Sequence, residues 1–261
     1  MAVRSGTKRI KPKTVISISR RLSRMKNGYV SYGKRVKIGQ NCIIGENVSI
    51  GDDVVIFPNA YIGENTKIGD GGIIQFGAFI EHDCNVGSHT RIGTNAVLRR
   101  ETNIGDNSIF GSLSASEGKN WIGSNVLVHS QCHITTGIII EDWVFIAPEF
   151  VGANDPQILH GRRNIEKFMP KGPHIRFGSR IAVNVTVLPG VVIGRESLIG
   201  ASSLVTKDVP DFSIAYGVPA KVAKTVGDKW RLPEEMYEEF RKRVSEEYLA
   251  RFIDKLLSDY K

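Results

Sequence analysis

The chain has 261 residues, with 35 lysines and arginines against 27 aspartates and glutamates, and a formal net charge of +8. No apolar run is long enough to span a membrane and no secretory signal is recognisable, so the sequence predicts no membrane span and a cytoplasmic location. Residues 1–37 hold twelve of the basic residues and no acidic residue, so the positive charge belongs to one end of the chain.

Residues 1–31 are therefore predicted to form a basic N-terminal arm. Residues 15–25 within it can form a basic amphipathic helix. A membrane surface, a polyanionic ligand and a neighbouring subunit remain open as its partner. A basic helix can also bind a nucleic acid, but no aromatic residues alternate with the basic ones here, so nucleic-acid binding is not expected.

Aliphatic residues recur at every sixth position in thirteen consecutive repeats. The fifth position of each repeat is small or β-branched, and nine of the second positions are glycine. A period of six fits neither an α-helix nor a long alternating strand, and it predicts short strands joined by tight corners in a narrow all-β solenoid. We attribute the glycines to a left-handed backbone conformation at these corners. The leading residues are Tyr32, Ile38, Ile44, Ile50, Ile56, Ile62, Ile68, Ile74, Ile80, Val86, Ile92, Leu98 and Ile104.

Two further blocks keep this period, one from Ile122 to Ile146 and one from Ile175 to Val205. Together the repeats predict about eight coils of three repeats each, in a domain covering residues 32–225. Two interruptions are expected: a distorted turn over residues 110–121, and a polar insertion over residues 152–174 that is rich in proline and glycine.

Residues 226–261 form the last predicted unit. Pro233 opens an expected helix that continues to about Tyr260, with apolar residues at helical spacing along one face. We interpret that face as a packing surface of the solenoid or of a subunit interface.

Two side-chain patterns follow from the repeat. Cys42, Cys84 and Cys132 all occupy the small fifth position, which predicts buried free thiols and no zinc site. Three charged residues, Glu81, Arg99 and Glu117, are 18 residues apart at second positions. If three repeats close one coil, these residues stack in a charge ladder along one edge.

Three segments near the end of the solenoid carry a specific sequence pattern. Residues 183–194 read VNVTVLPGVVIG, residues 199–210 read IGASSLVTKDVP and residues 217–222 read GVPAKV. Together they resemble the ending of the hexapeptide-repeat acyltransferases, and most closely of those that N-acetylate sugars and nucleotide-linked amino sugars. The resemblance implies a left-handed parallel β-helix, a homotrimer, and acetyl-CoA as the acyl donor of an acyltransferase that uses no metal.

In that family the acyl-CoA lies in a groove between neighbouring subunits. Small residues here leave room for the extended thioester arm, and lysines near the last coils can pair with its phosphates. The residues implied for cofactor binding are Gly200, Ala201, Ser202, Lys207, Lys221 and Lys224.

The insertion carries the clue to the acceptor. Many sugar O-acetyltransferases of this type have a histidine before a proline, where this chain has Asn154-Asp155-Pro156. The Asn-Asp form resembles the branch that N-acylates the amino group of a nucleotide-linked amino sugar. Asn154 is then expected to position the reacting groups, and Asp155 to accept a proton or hold the sugar.

His129 and His133 are the other candidate bases, because both are outward-facing one coil before the insertion and imidazole titrates near neutral pH. His133 is the preferred one of the two. Arg99 and Arg100 are expected to hold the diphosphate of the nucleotide.

Three alternatives remain open at this point. A sugar O-acetyltransferase differs only in its acceptor. A metalloenzyme of the γ-carbonic-anhydrase type shares the β-helix, but the spacing of His129 and His133 does not match its three-histidine site. A non-catalytic β-helix serving as a scaffold is the third alternative.

Overall fold

The computed structural model describes residues 30–158, 168–258 and 260 of the chain. The predicted basic arm, with its amphipathic helix, lies outside these residues except for its last two positions.

Twenty-seven strands of two residues each follow one another at the period read from the sequence. In chain order they are β1 (Ser31–Tyr32), β2 (Lys37–Ile38), β3 (Ile43–Ile44), β4 (Ser49–Ile50), β5 (Val55–Ile56), β6 (Tyr61–Ile62), β7 (Lys67–Ile68), β8 (Ile73–Ile74), β9 (Phe79–Ile80), β10 (Asn85–Val86), β11 (Arg91–Ile92), β12 (Val97–Leu98), β13 (Asn103–Ile104), β14 (Ile109–Phe110), β15 (Ala115–Ser116), β16 (Trp121–Ile122), β17 (Leu127–Val128), β18 (His133–Ile134), β19 (Ile139–Ile140), β20 (Phe145–Ile146), β21 (Val151–Gly152), β22 (His174–Ile175), β23 (Arg180–Ile181), β24 (Thr186–Val187), β25 (Val192–Ile193), β26 (Leu198–Ile199) and β27 (Leu204–Val205).

The strands stack into three parallel sheets. Sheet I begins β1-β4-β7, sheet II begins β2-β5-β8 and sheet III contains β3, β6, β9 and every third strand to β27. Each residue pairs with the residue 18 positions further on, as in Ser31 with Ser49. The left-handed parallel β-helix is thereby confirmed. It has nine coils of three strands, one more than the predicted eight.

The extra coil comes largely from residues 110–121, where the predicted distorted turn is wrong. Strands β14, β15 and β16 pair in regular register with the coils on either side. Ser116 occupies an inward position and is fully buried. Its hydroxyl lies 2.7 Å from Thr102 Oγ1 and accepts a hydrogen bond from Asn120 Nδ2 at 2.9 Å. A satisfied polar network thus replaces an aliphatic side chain without breaking the coil.

The corner glycines have a different role from the one predicted. The left-handed residue of each corner is the fourth of the repeat, commonly asparagine, as in Asn47 and Asn59 with φ of 56° and 62°. Asparagine tolerates this conformation better than most side chains. Second-position glycines such as Gly63 are needed because a Cβ there would lie 2.6 Å from the backbone nitrogen of His82 in the next coil. Close stacking, not backbone conformation, demands them.

The insertion leaves sheet III after β21 and returns to sheet I at β22. The register between Ile139 and His174 is therefore 35 residues instead of 18, after which the regular spacing resumes. Lys171 donates its backbone N–H to the Asn154 carbonyl at 2.8 Å, so the two ends of the insertion are tied together at its base.

After the last coil the chain forms an antiparallel hairpin of β28 (Ser213–Gly217) and β29 (Ala220–Thr225), a 3-10 turn at Asp228–Trp230, and two helices, α1 (Glu234–Arg243) and α2 (Glu246–Ser258). The single predicted helix is wrong, because Val244 takes an extended conformation between them. The predicted packing face exists, since the helices cover sheet I. The cluster comprises Trp121, Ile139, Phe177, Phe240, Val244 and Leu249.

A buried carboxylate joins the helices to the solenoid. Asp142 is 4 % exposed, accepts a hydrogen bond from the Ser124 backbone N–H at 2.9 Å, and pairs with Arg243 of α1. Burial raises the pKa of the Asp142 carboxyl in spite of both partners. The cost of removing the charged carboxylate from water therefore outweighs the stabilisation that it gains from Ser124 and Arg243.

The stacking argument predicts a large difference between two glycine substitutions. Gly63→Ala should lower the free energy of unfolding by about 1–3 kcal/mol, because the next coil must move to admit the methyl group. Gly227→Ala is the matched control, since its Cβ would meet nothing nearer than Trp230 Cδ1 at 3.9 Å and its φ is −67°. Urea unfolding of both variants measures the difference, and equal stability would contradict the proposed role of close stacking.

Asp142 predicts a pH dependence. Its folded pKa lies above the unfolded value, so its contribution to stability is full below about pH 3.9 and is lost as the pH rises through the folded pKa. The unfolding free energy of Asp142→Asn relative to wild type should therefore increase from about pH 3 to pH 6. The exposed Asp254→Asn on α2 is the control and should show no such increase. A difference that shrinks as the pH rises would mean that the Arg243 pair outweighs burial.

Candidate functional site

Sheet III and its two corners hold most of the residues singled out in the sequence. Sheet I is covered by α1 and α2, whereas outward side chains of sheet III such as Ile43 and Val151 are 61 % and 39 % exposed. The corner between sheets II and III carries His129, Gly200, Ala201 and Ser202, and the opposite corner carries Arg99, Arg100, Asn154, Asp155 and Lys207. His133 lies between them on the sheet itself.

The predicted charge ladder is confirmed. Arg99 lies between two carboxylates, with Nη1 3.6 Å from Glu81 Oε1 and Nε 3.0 Å from Glu117 Oε2. The three residues occupy the same corner in successive coils, as the 18-residue register requires. Because both carboxylates face one guanidinium, Arg99 is already neutralised, and this weakens its predicted role in holding a diphosphate. Arg100 has its backbone N–H bound to Glu81 Oε2 at 2.9 Å, and it is exposed.

His133 extends this ladder onto the open sheet. Its Nε2 lies 3.7 Å from Glu117 Oε1, and its side chain is 46 % exposed. That distance is longer than a hydrogen bond, but it places the Glu117 carboxylate beside the imidazole ring. The array from Glu81 to His133 therefore ends in an exposed imidazole with an acidic neighbour.

His129 is less suited to act as a base. Its Nδ1 accepts the backbone N–H of Ser130 at 2.9 Å, so the remaining proton of the neutral ring is on Nε2. A shallow cavity of about 260 Å³ adjoins the ring, lined also by Arg91 and Gly111. In this cavity the neutral ring presents a donor, which suits binding of an acceptor atom better than removal of a proton.

Asn154 and Asp155 are fixed within the insertion. The Asn154 side chain donates to the Thr136 carbonyl at 3.0 Å, and Asp155 Oδ1 accepts the backbone N–H groups of Gln157 and Ile158 at 2.9 and 2.8 Å. Both side chains thus shape the start of the insertion. Their predicted contacts with substrate stay predictions.

The residues implied for acyl-CoA lie at the end of the solenoid. Gly200 is one of the closely stacked glycines, since a Cβ there would meet Tyr216 Cβ at 2.7 Å. Ala201 and Ser202 are exposed on the adjoining corner. Lys221 and Lys224 are exposed on the hairpin, where they pair in register with Tyr216 and Ile214. Lys207 is exposed at the end of the last strand of sheet III.

One acid–base pair was not predicted from the sequence. His174 Nε2 lies 2.8 Å from Glu141 Oε1, and Glu141, which is 2 % exposed, also accepts the Phe177 backbone N–H at 2.8 Å. The available signal was Glu141 itself, which replaces a corner glycine as Glu81 does. The pair lies on sheet I, away from the ladder.

The described residues contain no group of three or more histidine, cysteine, aspartate or glutamate side chains arranged to hold a metal ion. All three cysteines are free thiols, and Cys84 and Cys132 are buried as predicted. The prediction is wrong for Cys42, which lies in one of the first coils and is only partly buried. Burial raises the pKa of Cys84 to about 12. Within the same residues, none of the helices has the length and apolar character needed to cross a bilayer.

Comparison with known proteins gives one matching family model, described as bacterial transferase hexapeptide (six repeats), over residues 47–82. A Staphylococcus aureus (strain COL) protein named "Putative acetyltransferase" is 43 % identical over 119 residues, covering 44 % of this chain and 58 % of that protein. Galactoside O-acetyltransferase of Escherichia coli K12 is 36 % identical over 97 residues, covering 35 % and 46 %. The chain thus spans about half the length of these relatives.

The fold is shared with solved structures. The Arabidopsis UDP-N-acetylglucosamine acyltransferase superposes with a TM-score of 0.54 over 82 % of this chain and 73 % of its own, at 20 % identity. The enzyme of the same name from Bacteroides fragilis also gives 0.54, over 88 % and 82 %, at 18 % identity. These similarities establish the architecture alone.

Proposed function

We infer that this chain, a protein of the bacterial transferase hexapeptide type, is an acyl-CoA-dependent acyltransferase that activates its acceptor on sheet III. The observation that carries this proposal is His133, which lies exposed on the one long face bordered by the candidate residues, with Glu117 beside its ring. The acetyltransferase names of the relatives support the reaction class and acetyl as the acyl group. A cytoplasmic location remains part of the proposal.

His133 is proposed as the general base. It takes a proton from the acceptor as the acceptor nitrogen or oxygen attacks the thioester carbonyl. The tetrahedral intermediate collapses with loss of the coenzyme A thiolate, which can take up the proton held by the imidazole. Glu117 stabilises the imidazolium in the interval, and Arg99 keeps the Glu117 carboxylate oriented at 3.0 Å.

The acceptor that we propose is the amino group of a nucleotide-linked amino sugar. The support is the Asn154-Asp155-Pro156 sequence, which stands where the O-acetyltransferases that the chain resembles have a histidine. Arg100 is the exposed cation beside the ladder that can meet the nucleotide diphosphate.

A sugar hydroxyl is the second candidate acceptor. A hydroxyl needs a general base more than a neutral amine does, and the arrangement of His133 with Glu117 supplies one. The similarity to galactoside O-acetyltransferase favours the same alternative.

We propose a homotrimer as the active assembly. Large apolar side chains are exposed along the corner between sheets II and III, where Gly200, Ala201 and Ser202 also lie. They include Phe57 at 40 %, Phe76 at 46 %, Leu113 at 59 % and Val183 at 42 % exposed. Burial of such a row against another subunit would remove it from water and create the groove that the thioester arm requires.

The ladder provides a matched pair of variants. His133→Ala should lower the turnover number by about 10²–10⁴-fold if it is the base. Glu117→Gln should lower it about tenfold, whereas Glu81→Gln, on the other side of Arg99, should change it less than about twofold, because only Glu117 faces the imidazole. Thiol release from acetyl-CoA measures turnover. Equal losses in the two glutamate variants would assign the ladder a structural role only.

The choice of acceptor is tested with amino and hydroxy versions of the same nucleotide sugar in the thiol-release assay. We expect faster turnover of the amino compound, because a neutral amine is the better nucleophile toward a thioester. Faster turnover of the hydroxy compound would replace N-acylation by O-acylation. Failure of both compounds, in wild type that binds acetyl-CoA, would reject nucleotide sugars as acceptors.

A further inference from the structure

A polar cavity lies on sheet I, next to the corner that carries the ladder and on the other side of that corner from sheet III. It has a volume of about 590 Å³ and is enclosed by the middle coils of sheet I and by α2. Nothing in the proposed acyl transfer uses it. Its walls combine cations, carboxylates, amides and aromatic rings, which is the composition of a site for a polar ring-bearing molecule.

Three cations converge on the cavity. Arg251 and Lys255 project from α2, and Lys119 enters from the solenoid corner. Among the residues that the structure describes, no ion pair holds the Arg251 guanidinium. Lys119 is only 6 % exposed, with its ammonium 3.9 Å from Glu101 Oε1 and 5.3 Å from the centre of the Tyr260 ring. A fork of donors on Arg251 beside two ammonium groups favours a phosphate group.

The floor and the near wall suit hydroxyl groups. Asn85 and Asn103 project side by side from sheet I, with Asn85 Nδ2 donating to Asn103 Oδ1 at 2.9 Å. Asp83 and Glu101 line the corner below them. Carboxylates repel a phosphate but accept hydrogen bonds from hydroxyl groups, so these two favour a ligand with a hydroxylated ring attached to its phosphate.

An aromatic wall completes the cavity. Tyr248 is 48 % exposed and meets Trp121 edge to face with their ring centres 6.4 Å apart. Trp121 itself is only 7 % exposed, so Tyr248 offers the accessible ring. Planar bases and the apolar faces of sugars both pack on such a ring.

We propose that this cavity binds the phosphate monoester of a sugar or a nucleoside. The phosphate lies between Arg251, Lys255 and Lys119, the ring hydroxyls bind Asp83 and Glu101, and the ring packs on Tyr248. The site is separate from the proposed acyl-CoA groove and does not rest on the acyltransferase activity. Because α2 forms its roof, the occupied cavity also links the helix to the coils beneath it.

Binding is tested on the full chain by titration calorimetry with glucose 6-phosphate, adenosine 5′-monophosphate and inorganic phosphate, each with excess acetyl-CoA present. At least one of the two ring-bearing esters should bind saturably, and tryptophan fluorescence should change because Trp121 forms the wall. Arg251→Gln should weaken this binding at least about tenfold through loss of charge-assisted hydrogen bonds. Lys242→Gln, an exposed cation on α1 outside the cavity, is the matched control and should bind as wild type does.

The identity of the better ester decides between a sugar and a nucleoside body, and either result supports the site. Three results would overturn the proposal: no binding of either ester, equal affinity for inorganic phosphate, or equal binding by wild type and Arg251→Gln. Arg251 is exposed, so circular dichroism of this variant should match wild type. Tyr248→Leu supplies a second, uncharged variant that should weaken the ring-bearing esters without affecting salt dependence.

Discussion

Close stacking of successive coils is the constraint on which the rest of this molecule depends. The backbone of each coil bonds to the backbone 18 residues further on, and at the second position of a repeat the coils approach so closely that a Cβ on Gly33 would lie 2.5 Å from Asp52 N. Uniform stacking lets an isoleucine column fill the interior. It also means that any side chain at a second position has displaced the usual glycine and projects from a corner at the 18-residue spacing.

The charge ladder and two further polar side chains occupy these displaced positions, whereas His133 lies on sheet III itself. Glu81, Arg99 and Glu117 replace glycine at one corner, His129 at the second and Glu141 at the third. Because successive coils keep the same 18-residue register, charged side chains 18 residues apart come within ion-pair distance without any special loop structure. The six-residue repeat, whose interior positions are largely aliphatic, thus places polar side chains in ordered rows along the corners.

This geometry explains how much of the molecule could be predicted from sequence. The period fixes the strands, the sheets, the buried cysteines and the ladder, since all of them follow from counting in sixes and eighteens. It did not reveal that Ser116 fits the interior, because that depends on the hydroxyl of Thr102 and the amide of Asn120. It also missed the break between α1 and α2, and the pairing of His174 with Glu141, which joins residues on either side of the insertion.

The helices determine which faces of the prism remain available. By covering sheet I they bury Trp121 and Ile139. They leave exposed both His133 on sheet III and the row of apolar side chains at the corner between sheets II and III. The corner between sheets I and III separates the ladder from the cavity under α2, and residues 99–101 contribute to both. Arg99 belongs to the ladder, and Glu101, two residues further on, lines the cavity beneath α2. The ladder and the cavity are therefore two peptide units apart, at the corner between the covered sheet and the exposed one.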